Sequence, residues 1–444
     1  MSLDQTKSLA LEKRFDAVYA SAHSNFKRSI AAGGHKLFIQ KAEAGRVWDV
    51  DGNEFIDWVG ALGPLILGHR HPELVESLKA SLDEQGTTLG SGIYHTEDDI
   101  AVGEMISRFV PCAEKVKTCT SGSEAIQLAI RLARAHTKRP RFIRFQSHYH
   151  GWIDNVVVGR LDENPEGRPF PTTEDEERNF YSAEGNSPGA TEESFILPWN
   201  DIEALEKTLQ QYGDEVALVI CEAFGAQNMC RSPLPGYLER VRELCSEYGV
   251  VLCFDEIVTG FRIGLGGAQA HYGVTPDLTV IGKAVAGGLP FAVVAGEAEI
   301  MDLLGDRRVL GPGTFNGYPL GMRAALATLT ILSRDDGAAY RHRDQVQARL
   351  RDGFHEVARN RGQDLAVQES PGSMSLHLGL KEGTVFRQTE DLAGFDRKRF
   401  FQLQPRFYDE NVMIMPDKLY VSVGHTLEDA EQTIEAFERV LKNL

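Results

Sequence analysis

The stretch Asp277-Leu278-Thr279-Val280-Ile281-Gly282-Lys283-Ala284-Val285-Ala286-Gly287-Gly288 sets the reading of the whole chain. The apolar run Leu278–Ile281 predicts a short buried strand that stops at Gly282, with Lys283 next and two glycines soon after. A lysine at the mouth of a buried strand, flanked by glycines, is open to desolvation and close approach. Those conditions lower an amine's pKa and make it a nucleophile toward carbonyls. Most lysines at strand ends are solvated surface groups, so the weight falls on what surrounds this one.

Similar short apolar runs recur upstream and downstream. Val216–Cys221 ends at Glu222, Val250–Phe254 ends at Asp255-Glu256, and Phe291–Ala295 follows the lysine. Helical patterns over 201–211 and 235–248 separate them. Continuous apolar strands alternating with helices predict an α/β fold with a mostly parallel sheet covered on both faces. Arg141–Phe145 is a further strand and runs into the loop Ser147-His148-Tyr149-His150-Gly151-Trp152. Another strand, 116–120, leads through Ser121-Gly122-Ser123 into a helix with Ile126, Ala129, Ile130 and Ala133 on one side. Free N–H groups and the positive end of the helix dipole make such a turn an anion site, most naturally for a phosphate. The plainer reading is a helix N-cap by Ser121 or Ser123. The ends of parallel strands share one edge, so Ser121, Gly122, Ser123, Tyr149, Glu222, Asp255 and Lys283 are expected to converge on one crevice.

That set has a chemical meaning. A Schiff-base lysine needs a carbonyl cofactor, a carboxylate keeps a pyridine nitrogen protonated, a phosphate cup anchors, and an aromatic stacks. Together these are the requirements of pyridoxal 5′-phosphate.

The length of 444 residues predicts more than one domain. The expected division is an N-terminal segment (1–80) packing with a small domain, a large cofactor-binding domain (81–333) and a C-terminal small α+β domain (334–444). A net charge of −17 disfavours nucleic acid and anionic membrane surfaces as partners. The longest apolar runs are strand-sized, so no membrane span is expected. The N-terminus lacks the form of a signal peptide. Six cysteines without a CxxC pair read as reduced thiols in a cytoplasmic protein with no metal site. His69 and His71 lack a third ligand or helical spacing and read as loop structure.

Elsewhere, 11–22 predicts a helix, and Arg46–Trp58 predicts a hairpin about Asp51-Gly52-Asn53. Helices are expected over 72–84, 98–109, 319–333, 340–361 and 427–441, and strands over 373–379 and 418–423. The polar stretch 159–193 reads as a long surface excursion.

The block Phe254-Asp255-Glu256-Ile257-Val258-Thr259-Gly260-Phe261-Arg262, with Gly266-Gly267-Ala268-Gln269, Pro276–Thr279 and Gly282-Lys283, resembles the signature of class III (ω-type) aminotransferases. Leu65–Pro72, Thr120–Ala125, His148–Gly151, Gly313-Thr314-Phe315 and Pro319-Leu320 resemble the glutamate-1-semialdehyde 2,1-aminomutase-like branch. The resemblance spans about 40–335 and implies a fold type I pyridoxal-phosphate transferase with a seven-stranded-type sheet. It implies that Lys283 holds the cofactor as a Schiff base and moves the proton. Asp255 would pair with the ring nitrogen, Tyr149 and Ile257 would flank the ring, and Gly122 and Ser123 would cup the phosphate. Thr314 would bind the phosphate of the neighbouring subunit in a homodimer. Glu222 fits the acidic group near the ring, and Gln227 or Asn228 the contact to the phenolic oxygen.

The implied reaction is ping-pong transfer of an amino group from an amine or amino acid to a keto acid or aldehyde. The alternative is the intramolecular aminomutase reaction. Its basic substrate-carboxylate group has only Lys27 or Arg28 to supply it, in Ser24-Asn25-Phe26-Lys27-Arg28 rather than the branch's Ser-Pro-Val-Arg form. That departure and the long 160–193 insertion favour a transaminase with its own substrate. A nucleotide-binding module is disfavoured, because the Ser-Gly-Ser turn carries neither GxGxxG nor GxxxxGK[ST].

Overall fold

The computed structural model describes residues 3–20, 36–87, 93–157, 185–187, 189–226, 229–415 and 418–444. Lys27, Arg28, Gln227, Asn228 and most of the 159–193 stretch lie outside the described residues. The chain forms two compact units, one from Met1–Val75 with Leu332–Leu444 and one from Glu76–Ile331.

The first unit begins with a helix over Thr6–Asp16, one to two turns earlier than the expected 11–22. Its apolar and charged residues give little amphipathic contrast, so the periodicity does not locate its ends. The strands β1 (Ile39–Glu43), β2 (Arg46–Asp49) and β3 (Glu54–Asp57) form an antiparallel meander. The turn between β2 and β3 is the Asp51-Gly52-Asn53 turn, with Asp49 Oδ1 accepting the N–H groups of Asp51 and Asn53.

The second unit holds the large sheet. Its strands are β4 (Lys115–Cys119), β5 (Arg141–Phe145), β6 (Ser194–Leu197), β7 (Val216–Cys221), β8 (Val251–Glu256), β9 (Leu278–Ile281) and β10 (Ala292–Gly296). Among the described residues they lie in the order β4-β10-β9-β8-β7-β5-β6. The pairs β9–β8, β8–β7, β7–β5 and β5–β6 are parallel, and β10 is antiparallel to both its neighbours. Each central strand is buried on both faces, with successive side chains serving two different cores. Leu218 and Ile220 pack with Ile126, Ala129 and Ala133 of the helix Gly122–Thr137. Val219 and Cys221 pack with Leu205 and Leu209 on the opposite side, together with Leu238 and Val241. At about 1.5–3 kcal/mol for each large apolar side chain buried, these two layers hold the strand ends in place.

The remainder of the first unit carries β11 (Leu365–Ser370), β12 (Ser373–Leu378) and the short strands β13 (Val412–Met413) and β14 (Leu419–Tyr420). β13 pairs in parallel with β3, so chain segments far apart in sequence share one small sheet. No described helix is long and apolar enough to cross a membrane.

Candidate active site

β10 is antiparallel to both β4 and β9, so β4, β5, β7, β8 and β9 all run the same way. Their carboxyl ends therefore share one edge, and each delivers a polar group there. After β4, Ser121 caps the helix Gly122–Thr137: its Oγ accepts the Glu124 N–H, and Glu124 Oε2 accepts the N–H groups of Thr120 and Ser121. The Ser121 hydroxyl and Glu124 are thus taken up by the capping box, leaving the next backbone N–H groups, of Gly122 and Ser123, at the positive helix end.

β8 delivers two adjacent carboxylates to opposite faces of the sheet. Glu256 accepts from Thr259 Oγ1, from Gln269 Nε2 and from the Ala268 N–H, which fixes the start of the short helix Gly267–Tyr272. Burial pushes its pKa up, and those donors pull it back. Asp255, 4% exposed, turns the other way. Its Oδ1 accepts the Ile257 N–H at 3.0 Å, and its Oδ2 lies 2.6 Å from His150 Nδ1. His150 is buried, and its Nε2 has no hydrogen-bond partner among the described residues.

The loop after β5 supplies His148, Tyr149 and His150. Its backbone is tied to the end of β7 twice. The Tyr149 N–H donates to Glu222 Oε1 at 2.8 Å, and the Glu222 N–H donates to His148 Nδ1 at 3.1 Å. A backbone N–H can only donate, so His148 carries its single proton on Nε2. Burial first, then His150 and Arg231, holds its pKa well below the usual imidazole value. Its ring packs 4.5 Å from that of Trp199. Glu222 is 3% exposed, and burial with repulsion from Asp255 pushes its pKa up to about 7, against the pull of the Tyr149 N–H, His150 and Lys283.

Lys283 follows β9 with φ +46°, a left-handed conformation that costs a non-glycine residue about 1–3 kcal/mol. Gly282 precedes it. A Cβ on Gly282 would stand 2.9 Å from Ile257 Cδ1, and one on Gly122 would stand 3.0 Å from the same atom. Ile257 therefore sits between the helix turn and the lysine, in space that two glycines clear. Gly151 lies against Ser123, which closes the ring of contacts from β5 back to β4. Ser121, Gly122, Ser123, Tyr149, Glu222, Asp255, Ile257 and Lys283 are thus brought to one place. Thr314 is exposed on the loop 311–317, where Asn316 Oδ1 accepts from Thr120 Oγ1 at 3.4 Å.

The sequence pattern described as Aminotransferase class-III matches residues 29–373. The chain belongs to the class-III aminotransferase family. A Glutamate-1-semialdehyde 2,1-aminomutase 2 of Brevibacillus brevis is 35% identical over 416 residues, covering 93% of this chain and 92% of its own. A Glutamate-1-semialdehyde 2,1-aminomutase of Thermodesulfovibrio yellowstonii is 34% identical, covering 99% of each. Among solved structures, an omega-transaminase from Sphaerobacter thermophilus superposes with a TM-score of 0.85 at 27% identity, covering 98% of this chain and 97% of its own.

This class-III aminotransferase is accordingly a pyridoxal-phosphate enzyme of the transaminase kind, acting on small amine and keto-acid substrates. The donor set fits that cofactor. It holds a buried carboxylate for a cationic ring nitrogen, an amine at a strained strand end, helix N–H groups for a phosphate, and an aliphatic side chain between them. His148 and His150 are the residues that sequence reasoning did not single out. The available signal was two histidines flanking an aromatic just past a buried strand. Only the fold shows that one reaches Asp255 and the other the backbone of Glu222.

Proposed function

We propose that the enzyme moves an amino group between two separate small molecules, with Lys283 as the reacting amine and Asp255 as the charge partner of the cofactor ring. The observation that carries this reading is the arrival of Lys283, after β9, and the Asp255–His150 pair, on β8, at one sheet edge around Glu222. When bound, pyridoxal phosphate supplies an aldehyde carbon that bonds an amine and a ring that takes up the negative charge released at the substrate carbon.

The chain's residues do the rest. The Asp255 carboxylate, oriented by His150 and the Ile257 N–H, keeps the proton on the ring nitrogen. Its orientation is set before the reaction, where such electrostatic help is most effective. Lys283 Nζ would hold the cofactor through its aldehyde carbon and, once displaced by the incoming amine, would be the base that carries the substrate's proton. Tyr149 and Ile257 would flank the ring, and Glu222 Oε1 holds Tyr149 through its backbone N–H. The Gly122 and Ser123 N–H groups bind the phosphate, with the Ser121 cap keeping the turn in shape.

The large unit would be the cofactor-binding domain. Two copies would form a homodimer in the cytoplasm, each Thr314 reaching the other copy's phosphate. The curated relatives named above carry the aminomutase title, which supports the intramolecular reaction as the second reading.

Two measurements separate these. Borohydride reduction of the yellow holoenzyme, followed by peptide mapping, should place the cofactor on Lys283, and a label elsewhere would refute the assignment. Half-reactions with a panel of amine donors should yield the aminated cofactor and a released carbonyl product. Conversion of glutamate-1-semialdehyde with no second acceptor would instead establish the aminomutase.

A further inference from the structure

The glycines before and after Lys283 are there for different reasons. Gly287 and Gly288 have φ of +56° and +114°, a region that residues with side chains rarely adopt. Gly282 is extended, with φ −161°, and makes no such demand. Neither does Gly122, which opens the helix Gly122–Thr137 outside the left-handed region, where alanine is the better helix former. The backbone would accept a methyl group at 122 and at 282. One atom would not. Ile257 Cδ1 lies 2.9 Å from a Cβ built on Gly282 and 3.0 Å from a Cβ built on Gly122. Carbon atoms rest about 3.5–4.0 Å apart, so either methyl group would displace Ile257. At Gly282 the next atom, the Phe291 carbonyl oxygen, stands at 3.6 Å, an ordinary contact.

Ile257 has little room to give. Its N–H donates to Asp255 Oδ1 at 3.0 Å, so a shift of its backbone would turn the carboxyl group that meets His150 through its other oxygen. Its side chain is half-buried and packs on the core layer that holds Ile126 and Val280. With that layer and the two glycines around it, a push leads outward into the crevice. We propose that residues 122, 257 and 282 act as one steric unit. Ile257 Cδ1 is the spacer between the phosphate turn and the turn that carries Lys283, and Ile257 is thereby the positioning residue that sets how deep the cofactor ring lies. The inference rests on Lys283 and the Ser121–Ser123 turn forming the cofactor site. Enlarging either glycine drives the spacer into the place of the ring, and shortening the spacer reopens the space.

Valine at 257 lacks Cδ1 and keeps Cγ1 and Cγ2, which makes the test a one-atom deletion. The full-length cofactor-free chain is titrated with pyridoxal phosphate, and the visible absorbance gives the Kd and the position of the band. Gly282→Ala should weaken binding by about 10- to 100-fold, the scale of overpacking a filled space, and shift the band. Ile257→Val alone should weaken it by about two- to tenfold. Gly282→Ala combined with Ile257→Val should bind as Ile257→Val does and restore its band. Gly122→Ala should also weaken binding, with a smaller rescue. Ile257 Cγ1 stands 3.3 Å from the Gly122 Cβ, whereas at Gly282 the nearest remaining atom of Ile257 is Cγ2 at 3.7 Å. Gly305→Ala, whose Cβ would meet nothing within 4 Å, should leave the Kd unchanged.

Losses that multiply in the double variant, with no rescue, overturn the proposal. Urea midpoints of the cofactor-free proteins are read alongside, and they separate placing the ring from holding the fold. If Ile257→Val restores the midpoint of Gly282→Ala but not its Kd, the three residues are packing alone and the proposal fails. Borohydride labelling of the wild type loaded with pyridoxal phosphate tests the reading beneath it. Label on Lys283 with unrescued losses rejects the steric unit alone. Label elsewhere rejects the cofactor site itself.

Discussion

Two buried Asp–His pairs, one in each unit of this protein, use the same residue types in opposite ways. In the first unit, Asp57 is buried with His69 Nε2 at 2.8 Å from its Oδ2, and its Oδ1 accepts the N–H groups of Val59 and Gly60. Nearby, the His425 ring stacks 3.9 Å from Trp58. His425 Nδ1 takes the Ser422 N–H, and its Nε2 reaches the Asp57 carbonyl. Trp58 Nε1 in turn donates to Thr433. In the second unit, Asp255 has the same short contact to a histidine, but His150 and His148 each keep a buried Nε2 without a partner among the described residues, and a second carboxyl group, Glu222, feels the charge of the first. The difference teaches how to tell a brace from a reactive site. A saturated cluster has spent its hydrogen-bonding capacity on holding the fold. An unsaturated one with mutually repelling acids carries a cost that folding alone does not explain.

The comparison can be broken in several ways, beginning with the largest effect. Lys283→Ala should reduce turnover by about 10⁴-fold or more, because no other group then supplies the amine or moves the proton. Stopped-flow half-reactions would measure it. Asp255→Asn should keep the shape and remove the charge, lowering kcat by about 10²- to 10³-fold, the usual scale for one aimed electrostatic group. A smaller loss would mean that Asp255 is a brace like Asp57.

Glu222→Gln should change how stability depends on pH. The folded-state pKa of Glu222 is raised from 4.5 to about 7, so its contribution is full below 4.5 and is lost as pH rises through 7. Removing the acid should flatten the curve over that window by about 3 kcal/mol, read from urea midpoints. Asp57→Ala should act the other way round, costing about 2–4 kcal/mol of stability through the donors it strands, with kcat per folded molecule unchanged. The smallest effect is expected for His150→Gln, a loss of about tenfold in kcat with a shifted visible spectrum of the bound cofactor, since it acts only by orienting Asp255.

Much of this was legible in the residues. Leu278–Ile281, Val216–Cys221 and Val250–Phe254 announce themselves because a strand buried on both faces must be continuously apolar, and the residue that ends each run marks the edge. Ser194–Leu197 did not, since a short, half-buried edge strand has neither a long apolar run nor a clear alternation. The reversed direction of β10 left no mark either, because Ala292–Gly296 is equally apolar whichever way it runs. The Ser121 capping box was half-visible, as one of two readings of Ser-Gly-Ser, and the Glu124 side chain completes it while leaving the Gly122 and Ser123 N–H groups to the other reading.

The sequence alone determined the class of chemistry: a lysine, a carboxylate, an aromatic and a helix turn, each placed at a strand end by local rules of burial and periodicity. Only the tertiary structure decided which partners complete them. The pairing of His150 with Asp255 joins residues 105 positions apart, and that of Tyr149 with Glu222 joins residues 73 apart. Such contacts depend on how loops from neighbouring strands meet across the sheet edge. No local pattern encodes that meeting, because it is settled by the packing of the two layers beneath it.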